Sequence, residues 1–187
     1  MNLSVIIPIY NGEKYVEELL DHIKEIFDIS DQIIIIDDCS YDSTVKVIKD
    51  KIVSLKLQNI ELYENNENYG VSYSRNLGIL KAKRDFLFFL DSDDSVSKNF
   101  KEILSQFLIR YPKAEVIRFN HNQKEYNIPE TSFENNDFDS IDKKIVKSYY
   151  LHSSCTQIFK RKLVEKIRFD NNIIFGEDLL FTYLLLN

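Results

Sequence analysis

Two clusters of carboxylates stand directly behind short apolar runs. Residues 86–90 lead into Asp91-Ser92-Asp93-Asp94, and the four isoleucines of residues 33–36 lead into Asp37-Asp38-Cys39-Ser40. Neighbouring acids repel unless a cation or an acid–base role compensates. Asp91 and Asp93 are two apart, so on an extended segment they point to the same side. Two carboxylates on one side suit Mg²⁺ or Mn²⁺, which keeps water and phosphate oxygens for the rest of its shell. Some of this acidity has a plainer use, because Asp, Ser and Thr cap helices and one begins near Ser97. Capping explains Asp94, Ser95 or Ser97, and likewise Asp42 or Ser43, but not Asp91 and Asp93 together. For Asp37-Asp38 the residues alone leave both readings open.

Composition removes several classes of chemistry. The four glycines are Gly12, Gly70, Gly78 and Gly176, so neither GxGxxG nor GxxxxGK[ST] occurs and no glycine loop cradles a phosphate. A bound nucleotide would need another phosphate holder. Thirty acidic against 24 basic residues give a net charge of -6, which argues against nucleic acid as a partner. The basic runs Lys81-Ala82-Lys83-Arg84 and Lys160-Arg161-Lys162 read as solvated ends of elements. Cys39, Cys155, His22, His121 and His152 show no zinc-ligand spacing. The N-terminus lacks the features of a signal peptide, and no run approaches the ~18 apolar residues of a membrane span. The expectation is a cytoplasmic protein.

The carboxylates must be positioned by the elements before them. Residues 3–9 form an apolar run ending at Tyr10-Asn11-Gly12, a strand and a turn. Val16, Leu19, Leu20, Ile23, Ile26 and Phe27 recur at helical steps. Residues 33–36, 60–63, 86–90 and 115–119 read as further strands, and 43–57, 71–83 and 98–110 as helices. Strands apolar on both faces and separated by helices predict an α/β fold: a mainly parallel open sheet flanked by helices on both sides. Such sheets bind ligands beyond the carboxyl ends of their strands, where the acids lie. Residues 120–142 are polar and Asn-rich, a long excursion within one domain of residues 1–187. Strand and helix signals return from 152 to the apolar end at residues 179–186. That end predicts an exposed patch, met by self-association or a peripheral membrane contact at the inner face.

Four segments stand in order: Ser4-Val5-Ile6-Ile7-Pro8-Ile9-Tyr10-Asn11; Ile36-Asp37-Asp38-Cys39-Ser40 with Asp42-Ser43-Thr44; Asn68-Tyr69-Gly70 with Ser74-Arg75-Asn76-Leu77-Gly78; and Asp91-Ser92-Asp93-Asp94. The series resembles the family-2 inverting glycosyltransferases, which have the GT-A fold and use nucleotide-activated sugars. The resemblance runs from residue 3 to about 119 and resumes at Phe159-Lys160-Arg161 and Phe175-Gly176-Glu177-Asp178. It implies a nucleotide-sugar-binding part over 1–119 and an acceptor- and base-bearing part over 120–187.

The resemblance also implies roles. Pro8, Tyr10 and Asn11 line the nucleoside pocket, and Asp38 accepts the uracil N3 proton. Arg75 lies near the base or diphosphate, and Asp91 and Ser92 also bind the nucleotide sugar. Asp91 and Asp93 form a DxD motif that binds Mn²⁺ or Mg²⁺, and Asp178 is the catalytic base. The implied partners are a UDP-sugar donor and a glycan or lipid-linked glycan acceptor, in surface or capsular polysaccharide synthesis. Apart from the resemblance, the aromatic residues read mostly as core, with Tyr149-Tyr150 as the candidates to stack on an acceptor sugar. Family members continue beyond the acid pair, so the resemblance reads the chain as a C-terminally truncated core, with loss of activity as one alternative. A haloacid-dehalogenase-type phosphatase would use Asp91 as nucleophile and Asp93 as acid–base, but it carries that motif on its first strand. A receiver domain likewise expects its acidic pair on the first strand.

Overall fold

A computed structural model describes residues 2–118, 120–122, 125–127, 157–173 and 175–186. Among the described residues eight strands form two sheets. β1 (Leu3–Ile9), β2 (Gln32–Asp37), β3 (Ile60–Glu64), β4 (Phe86–Phe89), β5 (Val116–Arg118) and β8 (Gln157–Lys160) build a six-stranded sheet in the order β3-β2-β1-β4-β8-β5. β6 (Asn120–Asn122) and β7 (Glu125–Asn127) pair separately. The β3-β2-β1-β4 block is parallel, and β8 is antiparallel to both of its neighbours. The sheet is therefore mainly parallel, as the apolar runs require. What the runs did not show is that β8 separates β4 from β5.

Helices cover both faces. α1 (Val16–Ile26), α2 (Thr44–Leu55) and α4 (Phe100–Arg110) lie on one side. α3 (Val71–Lys81), α5 (Arg161–Val164) and α6 (Glu177–Leu186) lie on the other. The period-2 alternation of strand side chains divides the core accordingly. Val5, Ile7, Ile33 and Ile35 pack with Leu20, Ile23, Ile48, Phe100 and Leu104. Ile6, Ile34, Ile36, Leu87 and Phe89 pack with Ile79, Phe159, Phe169 and Phe181.

Local chemistry explains the boundaries. Pro8 is tolerated in a central strand because the β4 ladder reaches only Ile6 on that side, and Leu90 N–H donates to the Ile6 carbonyl just beyond it. Helix α3 stops at Lys81 and not at residue 83. Buried Ser4 and Gln32 explain this: the Lys83 N–H donates to both the Ser4 hydroxyl and the Gln32 amide oxygen, and the Arg84 N–H to Ser4. Gly78 lets α3 lie directly on β1, since a Cβ there would come within 2.2 Å of Ile6 Cγ2. Among the described residues no helix is long and apolar enough to cross a membrane. The apolar C-terminal run is half packed: Phe181 and Leu185 enter the core, while Tyr183 and Leu184 remain about half exposed. Tyr149-Tyr150, Cys155 and most of the 120–142 excursion lie outside the described residues.

Candidate functional site

The carboxyl ends of β1, β2 and β4 open onto a cleft of about 250 Å³. β1 contributes Pro8, the bend after it Tyr10, the turn after β2 contributes Asp38, and α3 contributes Ser74 and Arg75. Asp91, Ser92 and Asp93 come from the segment after β4. Of these eight, all but Ser74 are candidate site residues of the sequence, and Asn11 is not on the lining. The two acids meet there by a different route from the one expected. β4 ends at Phe89, and residues 91–94 form a turn closed by the Asp94 N–H on the Asp91 carbonyl, 3.0 Å. The turn, not a strand's alternation, brings Asp91 and Asp93 to one side.

Asn11 builds the rim. Its backbone is left-handed (φ 49°), as is that of Cys39 (φ 66°). Each such non-glycine residue costs about 1–2 kcal/mol, so something must hold them. The Asn11 N–H donates to Ser40 Oγ (2.8 Å), Asn11 Oδ1 accepts from the Tyr41 N–H (3.1 Å), and Asp37 Oδ2 accepts from the Ser40 N–H (3.0 Å). Asp42 accepts from the Thr44 N–H at the start of α2 and from the Glu13 N–H, the capping role expected of it. Partial burial pushes the Asp42 carboxyl up, but its bonds from Thr44 and Glu13 outweigh that and leave it below the usual range.

The two readings of the Asp37-Asp38 pair separate. Asp37 belongs to the turn, whereas Asp38 faces the cleft and braces the loop before α3. Asp38 is 4% exposed and accepts from Asn65 Nδ2 (2.8 Å), the Tyr69 N–H (3.0 Å) and the Gly70 N–H (2.7 Å). A carboxylate offers about four acceptor sites, so three such bonds leave capacity for one further donor. Gly70, at φ 88°, turns the chain into α3.

Arg75 occupies the centre. It is 3% exposed, and its guanidinium meets three carboxylates: Nη2 donates to Asp91 Oδ1 (3.1 Å), and Nη1 to Asp178 Oδ1 (3.0 Å) and Glu177 Oε1 (3.2 Å). The Phe169 ring lies under the guanidinium at 5.4 Å and stacks in turn on Phe181, 3.9 Å between centroids. Burying a cation is costly unless it is paired and hydrogen-bonded, and three acids meet that need. Asn76 does more than sit as a buried polar group. Its Nδ2 donates to the Phe169 carbonyl (2.8 Å) and its Oδ1 accepts the Phe169 N–H (2.9 Å). Asp178, 8% exposed in the first turn of α6, thus joins the cleft through Arg75. Glu177 and Phe169 were not anticipated. Glu177 was visible beside Asp178, but nothing local marks Phe169.

For a divalent cation the protein offers a partial shell. Among the described residues no group of three or more His, Cys, Asp or Glu side chains gathers to hold a metal. Asp91 and Asp93 supply two hard oxygen donors, a set that fits Mg²⁺ or Mn²⁺ arriving with diphosphate and water ligands.

A parallel α/β sheet with an antiparallel strand beyond β4 and a carboxylate-lined cleft at its carboxyl ends defines the GT-A-like class of folds. The match to glycosyl transferase family 2 covers residues 4–168, and the chain belongs to that family. The phosphatase and receiver readings give way to it. Among its relatives is the poly(ribitol-phosphate) beta-N-acetylglucosaminyltransferase TarS of Staphylococcus aureus, 28% identical over 96% of this chain and 30% of TarS. The minor teichoic acid biosynthesis protein GgaB of Bacillus subtilis is 31% identical over 95% of this chain and 20% of GgaB. The chain therefore spans less than a third of these relatives. The crystal structure of S. aureus TarS 1-349 in complex with UDP superposes with a TM-score of 0.76 at 26% identity, over all of this chain and 55% of that one.

Proposed function

We propose that the protein is an inverting glycosyltransferase that moves a sugar from a nucleotide sugar, a UDP-sugar, to an acceptor hydroxyl of a cell-surface polymer. The observation that carries this reading is the junction of donor and base chemistry in one place: Asp38, Asp91 and Asp93 line the cleft, and Arg75 ties Asp178 to its edge. The TarS structures with UDP and with UDP-GlcNAc support a uridine donor, and the names of TarS and GgaB support a polymer acceptor.

Tyr10, half exposed at the cleft mouth, stacks against the base. Asp38 uses its remaining acceptor capacity on a ring N–H, and the braced 69–70 loop fixes its orientation. Asp91 and Asp93 would hold a divalent cation, which would supply Lewis-acid stabilisation of the departing diphosphate. Inversion is a single in-line displacement, so one general base suffices. Asp178 takes the proton of the acceptor hydroxyl as its oxygen attacks the anomeric carbon. The sugar's bond to the diphosphate breaks on the opposite face.

A panel of nucleotide sugars incubated with the protein and Mg²⁺ or Mn²⁺ tests the reading. Cation-dependent release of UDP from at least one UDP-sugar is the expected result. Turnover of phosphate esters with no nucleotide-sugar turnover would overturn it.

A further inference from the structure

We propose that Arg75 is the positioning residue of the reaction: its guanidinium sets where the Asp178 carboxylate stands relative to the donor's diphosphate site. The inference rests on the glycosyltransferase reading above and adds to it a role distinct from binding the nucleotide. Its basis is a division of labour between the two terminal nitrogens. Nη2 holds Asp91, sixteen residues away, while Nη1 holds Asp178 and Glu177, more than a hundred residues away. One rigid, planar group therefore spans the donor side and the base side, and the spacing of its nitrogens fixes the spacing of the acids.

The surroundings stiffen this connection. The side chain is 4% exposed and lies over Phe169, so little water competes for the three ion pairs. Asn76, the next residue on α3, clasps the Phe169 backbone through both atoms of its amide. Two adjacent side chains of α3 thus fasten the segment that carries the base, one at Phe169 and one at Asp178. Lysine provides a cation at this place but no fork, so it can satisfy one side only.

The test uses Arg75→Ala and Arg75→Lys in the full chain, with UDP affinity measured separately from kcat and KM for transfer. For a group that positions the base, kcat falls on the order of 10²-fold, the usual effect of misplacing a reacting group by about 1 Å, while UDP affinity, touched only through Asp91, falls by less than about tenfold. Added guanidinium recovers part of the lost kcat in Arg75→Ala and none in Arg75→Lys. If UDP affinity falls by the same factor as kcat/KM with kcat preserved, Arg75 is a nucleotide ligand and the proposal is wrong. Should the alanine variant not fold, the lysine variant decides on the same split.

Wild-type protein that neither binds UDP nor transfers sugar contradicts the function and not the contact. A thermal double-mutant cycle of Arg75→Lys and Asp178→Asn reads the contact without turnover. Coupling shows as non-additive melting shifts of about 3 °C or more, and additive shifts overturn the proposal.

Discussion

Residues 2–118 and residues 157–186 reach the same cleft by different means. In the first region the walls are short returns from parallel strands, cross-braced by main-chain hydrogen bonds: the Asp38 N–H to the Ile9 carbonyl, the Asn65 N–H to the Asp37 carbonyl and the Leu90 N–H to the Ile6 carbonyl. In the second, strand β8 docks the chain on the sheet, but Asp178 is placed through side chains, with Arg75 on Asp178, Asn76 on Phe169 and Phe169 on Phe181. Backbone-braced loops keep their shape when one side chain changes. A contact built from side chains fails with any one of them. Donor binding and transfer should accordingly come apart under mutation.

The largest separation is expected from Asp178→Asn. Removing a general base costs roughly 10²–10⁴-fold in rate, whereas UDP affinity, set by the other region, is retained. Steady-state transfer assays alongside UDP titrations check this, and unchanged turnover would remove Asp178 from the mechanism. Phe169→Ala comes next. Truncating a buried Phe costs about 3–5 kcal/mol, and here it also takes the floor from under Arg75. Chemical denaturation should show that loss, and the surviving folded fraction should bind UDP better than it transfers sugar.

Gly78→Ala probes the element both regions share. The added methyl meets Ile6 and should cost about 1–3 kcal/mol. Because α3 carries Arg75, turnover drops with stability, which chemical denaturation alongside transfer assays checks.

The smallest effect tests the first region alone. Partial burial raises the Glu61 carboxyl, but Lys83, Tyr63 and Gln32 outweigh it and hold it below its ordinary value of 4.5. A depressed carboxylate adds stability that is present above the unfolded value and lost as pH falls through the folded one. Melting temperature should thus decline from about pH 4.5 downward, and Glu61→Gln should flatten part of that decline. The change stays below about 1 kcal/mol for so accessible a network.

Sequence legibility follows the same division. β1, β2 and β4 were readable because each is apolar on both faces, and the cleft acids followed because each stands just beyond its strand. Asp42 was readable as a cap because its partner Thr44 is two residues away. The end of α3 was not, since the groups that stop it, Ser4 and Gln32, come from other strands. Nor was the placement of β8 between β4 and β5, which no local pattern of Gln157-Ile158-Phe159-Lys160 encodes. Asp178 was recognised by resemblance alone. Its link to Arg75 joins positions 103 apart and depends on how the second region docks.

The central claim is that the cleft holds a nucleoside diphosphate through a cation on Asp91 and Asp93. Calorimetric titration of UDP into the wild-type protein and Asp93→Asn, with Mg²⁺ or Mn²⁺ and then with chelator, tests it most directly. The account predicts saturable one-to-one binding to the wild type that weakens at least tenfold when the cation is removed, and a similar loss in Asp93→Asn with the cation present. UDP binding of equal strength in all of these conditions, or none in any, would contradict it.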